Sequence, residues 1–207
     1  GSITVTLPTE EDGFKYGDAG FIILPCGRAN QNITYEAGSP TVGDLQVQGD
    51  MIIEAGVEVT ITGTVSFPPG KGIIVKPGGK LIVDGGTLTS SCDYMWQGIQ
   101  LHGNRHQNQS WPTSAHQGIV ELKNEAVIEQ ARVGIDVINL ADIANSGGGL
   151  VKANNATFLN CRKAVAFGPF RKHTNLSQFT DVHFLTNAPL NDPSYGGIGT
   201  PEFVSIW

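Results

Sequence analysis

The stretch MIIEAGVEVTITGTVS, residues 51–66, returns at residues 73–89 as IIVKPGGKLIVDGGTLT. Each copy contains three short apolar or β-branched runs, and Gly or Pro-Gly turns separate these runs. Self-similarity at a fixed period is typical of repeat architectures, in which each unit buries its apolar face against the next one. The repeat therefore predicts an all-β solenoid, and it contains no motif for a chemical reaction.

The same unit of three strands can be followed from residue 44 to the end of the chain. Gly, Pro, Thr and Val are too dense for helices, and apolar residues alternate as parallel strands around a shared core require. Second strands are predicted at 59–62, 81–84, 119–122, 150–153 and 176–179, and third strands at 45–48, 64–67, 87–90, 126–129, 156–159 and 181–185. The predicted inward pairs of the first strands are Met51/Ile53, Ile73/Val75, Ile99/Leu101, Ile135/Val137, Val165/Phe167 and Val204/Ile206.

The two ends of the chain differ from its middle. Residues 1–43 show no repeat, and we expect an irregular N-terminal cap there, followed by a repeat domain over residues 44–207. The last apolar run, residues 203–206, begins a rung that nothing follows, which predicts truncation at the C-terminal side. An unfinished rung exposes a parallel strand edge, so edge-to-edge self-association is a further expectation.

The length of each connection depends on which two strands it joins. Links between second and third strands are short and rich in Gly and Asn, which tolerate left-handed backbone angles. Links between first and second strands are longer and include residues 103–117, 139–149 and 168–175. Loops that leave a solenoid on one side commonly form its binding surface.

Composition excludes several classes of protein. Only 15% of the 207 residues are charged, which argues against disorder, and the net charge of −6 argues against nucleic acid as a partner. No apolar run approaches the roughly 20 residues of a membrane-spanning helix. The sequence therefore predicts a folded domain with no nucleic-acid partner and no membrane span.

Three strands per rung, short Asn-bearing turns and variable loops resemble the right-handed parallel β-helix of the pectate-lyase-like superfamily. The phrases KPGGKLIVDGGTLT (76–89), MWQGI (95–99) and NATFLNCRKAV (155–165) are similar to secreted, cell-surface β-helix repeat proteins of Bacteroidetes. Such proteins are typically exported by the type IX secretion system. The resemblance implies a single right-handed β-helix and a secreted or cell-surface location.

Pectate lyases of this fold bind calcium through acidic residues on the outer face of the first strands. That face contains Asp136 here, with no second carboxylate on a neighbouring rung, so no motif supports calcium and no other cofactor is predicted. The three cysteines match no zinc spacing. Cys26 and Cys92 lie outside the predicted strands and are candidates for a disulfide, whereas Cys161 ends a strand and is expected to be a buried thiol.

The candidate binding residues are His102, Arg105, His106, Trp111 and Asp136. His102 and Asp136 lie on successive first strands, about 4.8 Å apart, so a hydrogen bond is feasible. Such a pair can transfer protons or be an ordinary surface contact. Trp111 either stacks on a sugar ring or a partner protein, or folds down over the sheet.

These observations predict a non-catalytic, secreted or cell-surface module, an adhesin or scaffold segment that binds a polysaccharide or a surface protein through its loops. The alternative is a fragment of a polysaccharide lyase or glycoside hydrolase whose catalytic groups lie partly on other rungs. No catalytic residue can be assigned from the sequence, since inverting hydrolysis requires two carboxylates across the scissile bond and the strands alone do not provide them.

Overall fold

The computed structural model describes residues 31–170, 173–192, 197–199 and 204–206. The secondary structure of these residues consists of β-strands, with no helix. The strands are β1 (Ile33–Tyr35), β2 (Thr41–Val42), β3 (Leu45–Gln46), β4 (Met51–Ile53), β5 (Glu58–Ile61), β6 (Thr64–Phe67), β7 (Gly72–Val75), β8 (Lys80–Asp84), β9 (Thr87–Ser90), β10 (Trp96–Leu101), β11 (Ile119–Lys123), β12 (Ala126–Glu129), β13 (Ala131–Val137), β14 (Leu150–Leu159), β15 (Lys163–Phe167), β16 (Gln178–Leu185), β17 (Leu190–Asp192), β18 (Gly197–Gly199) and β19 (Val204–Ile206).

The six predicted first strands and β1, which was not predicted, form one parallel sheet of seven strands, in the order β1-β4-β7-β10-β13-β15-β19. Each strand pairs with its counterpart in the neighbouring copy of the repeat, so Met51 lies opposite Ile73 and Ile73 opposite Ile99. Between β10 and β13 the register shifts at Gly98/Ile99, where β13 contains one extra residue. Residues 51–66 and 73–89 are therefore successive layers of one parallel arrangement.

The predicted second and third strands belong to one further sheet of ten strands, in the order β2-β5-β8-β11-β14-β12-β9-β6-β3, with β16 paired to β14. The separate strands predicted at 150–153 and 156–159 are one continuous strand, β14. Its first half pairs with β11 and its second half pairs with β12. Asn155 lies between the halves with φ 53°, and this left-handed residue turns the chain without ending the strand.

The hydrophobic core lies between the two sheets. Every predicted inward residue of the first strands from Met51 to Val165 is at most 1% exposed, and Phe167 packs at the edge of the same cluster. This confirms the predicted inward column over the residues whose burial is described; Val204 and Ile206 lie outside them. The parallel sheets and shared core are compatible with a β-helix-like solenoid.

Parallel pairing begins before residue 44, since β1 pairs with β4 and β2 pairs with β5. The other predicted cap residues, 1–30, lie outside the described part of the chain, and the domain boundary stays a prediction. Between β16 and β19 the described residues contain the antiparallel pair β17 and β18. On its free side β16 pairs with no strand among the described residues. Self-association through such an edge stays a prediction.

Candidate functional site

The loop of residues 103–117 is closed by the buried side chain of Gln117, which is fully inaccessible to solvent. Its Nε2 donates to the carbonyl oxygens of Asn104 and Gln107 at 2.9 Å, and its Oε1 accepts from the backbone N–H of Asn104 at 2.9 Å. A buried amide is stable only when its polar atoms are paired in this way. Gln117 therefore fixes the base of the loop, and no sequence pattern indicates this role.

A second buried amide, Gln109, connects this loop to its neighbours. Its Nε2 donates to the carbonyl oxygens of Gly148 and Gly149 at 2.9 and 3.1 Å, and its Oε1 accepts from the N–H of Leu176 at 2.5 Å. The backbone N–H of Arg105 also donates to the carbonyl of Asn145 at 3.2 Å. Residues 103–117, 139–149 and 176 thus form one connected surface, which we call the loop corner.

We expect Gln109→Ala to loosen the loop corner. The substitution leaves two carbonyl groups without their donor and one N–H without its acceptor, which costs roughly 1–3 kcal/mol of stability. Native-state hydrogen exchange at residue 176 and limited proteolysis of residues 139–149 measure the effect. Gln107→Ala is the matched control, because Gln107 is an exposed glutamine of the same loop. Equal behaviour of the two variants would contradict the role of Gln109.

Trp111 lies over the solvent side of the second sheet. The Nζ atoms of Lys80 and Lys152 are 4.9 and 5.7 Å from the centre of its ring, and the side chain remains 41% exposed. Lys80 also forms ion pairs with Glu58 at 3.3 Å and Glu121 at 3.0 Å. Trp111 therefore folds down over the sheet, as one of the two sequence-based readings has it, while keeping an exposed aromatic surface.

An open groove of about 510 Å³ begins at Pro112, the residue after Trp111, and Trp111 itself is not in its lining. The groove is lined by residues 112–115 of the loop, by the turns at residues 55–58 and 78–80, and by Ile119. Backbone hydrogen bonds stack these turns on each other. The N–H of Gly56 donates to the carbonyl oxygen of Gly78 at 2.9 Å, and the N–H of Gly78 donates to the carbonyl oxygen of Gln117 at 3.1 Å. Lys80 belongs to both features, since it lines the groove and contacts the indole.

His102 and Asp136 are not paired in the structure. The register places Gln100, rather than His102, opposite Asp136, and the ring of His102 lies 3.5 Å from Oε1 of Gln100. Arg105 and His106 contact each other on the loop, with Nε of Arg105 donating to Nε2 of His106 at 3.4 Å. The predicted site residues therefore form separate groups on the sheet and on the loop.

The carboxyl group of Asp136 has an altered acidity. Burial raises its pKa from 3.8 to about 6, and the positive charge of Lys163 acts in the opposite direction. Burial also lowers the pKa of His102, with a further contribution from Lys76. The residue directly opposite Asp136 on β10 is Gln100, which carries an amide rather than a second carboxyl group.

The raised pKa of Asp136 predicts a loss of stability with rising pH. Below about pH 3.8 the carboxyl is protonated in the folded and the unfolded chain, whereas between 3.8 and about 6 only the unfolded chain releases its proton. We expect Asp136→Asn to raise the melting temperature above pH 6 and to have little effect near pH 4. Thermal unfolding across this range, with the exposed Asp93→Asn as control, measures it. A constant difference at all pH values would contradict the assignment.

A second cavity, of about 440 Å³, lies where third strands lead to the next first strands, and Tyr94, Gln130 and Leu190 contribute to its lining. Asn160, also in its lining, uses Oδ1 to accept from the N–H groups of Asn187 and Ala188 at 2.9 and 3.1 Å. The buried amide of this cavity is thus paired within the chain, which fits a structural role.

The cysteines divide into two kinds. Cys92 is disulfide-bonded and Cys161 is a free, partly buried thiol that donates to the carbonyl of Ile128 at 3.4 Å. Cys26, the predicted partner of Cys92, lies outside the described residues, and the pairing stays a prediction. Over the part of the chain that the structure describes, no group of three or more His, Cys, Asp or Glu side chains is arranged to hold a metal ion.

No protein-family model matches this chain, and neither does any curated protein or solved structure. Within the described ranges there is also no helix with the length and apolar character needed to cross a membrane.

Proposed function

We propose that this chain is a non-catalytic module of a secreted or cell-surface protein, and that it binds a glycan or a surface protein through the loop corner. In this proposal the two parallel sheets are parts of a single right-handed β-helix with three strands per rung, as in the pectate-lyase-like superfamily and the Bacteroidetes surface proteins that the sequence resembles. The wider protein would then be exported and would act as an adhesin or scaffold.

One observation carries the proposal: Trp111 is a large aromatic side chain, 41% exposed, on a loop that buried amides hold in place. Aromatic side chains with one exposed face are enriched in recognition surfaces because they contribute large contact area at a small loss of conformational entropy. A rigid loop also favours binding, because little conformational entropy is lost when the ligand binds.

The disulfide at Cys92 supports an extracytoplasmic location. Disulfides persist mainly in oxidising compartments and are rare where thiols are kept reduced. This agrees with the secreted or cell-surface location that the resemblance implies.

A second candidate function is a fragment of a polysaccharide lyase or glycoside hydrolase. The pKa of Asp136, raised to about 6, favours it, because a carboxyl with such a pKa can act as a general acid or base near neutral pH. Its neighbours on β10 and β15 are Gln100 and Ala166, so Asp136 has no second carboxylate directly opposite it on either adjacent strand, whereas glycoside hydrolysis uses a pair. The binding module is therefore the better supported candidate.

Two measurements on the purified chain separate these functions. Glycan arrays and pull-downs with defined surface proteins test for binding, and incubation with acidic and neutral polysaccharides tests for new unsaturated or reducing ends. We expect binding without turnover. Turnover that Asp136→Asn abolishes would establish the enzyme instead, and the absence of both binding and turnover would overturn both candidates.

A further inference from the structure

The groove beside Trp111 has a surface that permits close approach of a flat ligand. A Cβ atom added to Gly56 would meet no heavy atom within 4 Å, so the space over this turn is open. Glycine exposes the backbone and lets another molecule approach it closely. The volume of about 510 Å³ lies within the range of small-molecule binding sites.

The charges around the groove are already balanced. Lys80 and Lys152, which contact Trp111, carry two positive charges, and Glu58 and Glu121, which pair with Lys80, carry two negative charges. The side chain of Lys80 is only 13% exposed between its two carboxylates, and Lys152 donates to Oε1 of Gln178 at 2.8 Å. An anionic ligand would have to displace these carboxylates from Lys80, at a loss that a neutral ligand avoids.

Polar atoms at the rim suit a ligand that carries hydroxyl groups. The carboxylate of Glu58 lines the groove with a side-chain exposure of 43%, and it can accept hydrogen bonds from hydroxyl groups. Thr113, an exposed residue of the same lining, adds a hydroxyl group. Together with an aromatic ring beside the groove, these groups match the two surfaces of a sugar, which are apolar on the ring face and polar at the edge.

We infer that this groove binds a neutral oligosaccharide, with one sugar ring stacked on the exposed part of Trp111 and its hydroxyl groups directed to Glu58 and Thr113. The inference rests on the proposed function and names the ligand class of the same surface. The sugar polymer follows the groove between residues 112–115 and the stacked turns of the first two complete layers. A carboxylated saccharide of the same length binds more weakly, because no cation in the described lining is free to pair with it.

Calorimetric titration with neutral and uronate oligosaccharides of equal length tests this inference. We expect measurable affinity for at least one neutral oligosaccharide and a loss of about tenfold or more in Trp111→Ala, as for aromatic residues at the centre of an interface. Trp111→Phe should retain part of the affinity. Ala115→Trp fills the groove from an exposed position and should abolish binding, while Tyr94→Ala, which removes an exposed aromatic residue elsewhere, should have no effect. Melting temperatures check that each variant is folded.

Each other outcome identifies what fails. Preference for uronates, or glycan binding that Trp111→Ala and Ala115→Trp leave unchanged, overturns the neutral-sugar groove but not the binding module. Binding of a surface protein with no glycan binding likewise overturns only the inference. If neither glycans nor surface proteins bind, the proposed function is overturned as well.

Discussion

Gly98→Ala is expected to destabilise the fold by about 3 kcal/mol or more, since strained backbone and overpacking each contribute about 1–3 kcal/mol. Gly98 has φ 94°, a region that residues with a side chain rarely adopt, and an added Cβ would overlap the carbonyl group of Val133. Gly98 lies opposite Gly72 on β7 and Val133 on β13, so β10 is paired on both sides. The clash therefore cannot be relieved without breaking pairing in the centre of the first sheet.

Gly70→Ala separates the clash from the backbone strain. Gly70 has φ 74°, but a Cβ there would meet nothing within 4 Å. We expect a loss of about 1–2 kcal/mol, the energy of placing an L-residue in the left-handed region. Equilibrium urea unfolding of both variants gives the difference directly. If Gly98→Ala were no more destabilising than Gly70→Ala, this would contradict the predicted clash between an added Cβ at Gly98 and the carbonyl group of Val133.

The sequence predicts the layers of this fold because burial in parallel strands follows directly from alternation. Ile73 and Val75 point to the core and Lys76 does not, because successive side chains of a strand alternate between its two faces. This alternation is local and does not depend on the rest of the chain. The repeat of the same alternation in the next copy then fixes which strands are neighbours. The left-handed turn at Asn155 is equally local, because Asn tolerates that backbone conformation.

The sequence singles out Trp111 and its loop but does not predict the contacts of the site, because these contacts join residues that the repeat does not relate. Trp111 meets Lys80 and Lys152 only once the loop has folded over the sheet, and the paths of long loops are set by tertiary contacts such as those of Gln109 and Gln117. The sequence gives no signal that these two glutamines are buried. They look like ordinary polar loop residues.

The hydrogen bond that the sequence makes feasible between His102 and Asp136 is not formed, for a different reason. The predicted inward pairs Ile99/Leu101 and Ile135/Val137 already align Gln100 with Asp136, and the observed register agrees, with His102 two residues further along the chain from Gln100. Two residues along a strand correspond to about 6–7 Å, which adds to the spacing between neighbouring strands and separates His102 from Asp136. The distance between neighbouring strands alone therefore does not show that two outward residues meet, because their positions along the strands must also match.

Trp96→Ala is expected to destabilise the protein by about 3–5 kcal/mol, the usual range for removing a large buried aromatic side chain. The indole is fully buried and stacks on Phe67, with ring centres 4.9 Å apart and planes inclined by 13°. Its Nε1–H donates to the carbonyl of Glu129 at 2.7 Å. The substitution thus leaves a cavity beneath β10 and an unpaired carbonyl at the end of β12.

Trp96→Phe distinguishes these two contributions. It retains an aromatic ring against Phe67 but removes the donor to Glu129, so the expected loss is smaller, about 1–3 kcal/mol. Urea unfolding followed by circular dichroism, rather than by tryptophan fluorescence, compares the variants without the changed chromophore. Because Trp96 packs in the core while Trp111 lies on the loop corner, we expect Trp96→Phe to leave ligand affinity unchanged. A variant that stays fully stable but loses ligand binding would instead assign Trp96 to the binding surface, in conflict with its complete burial.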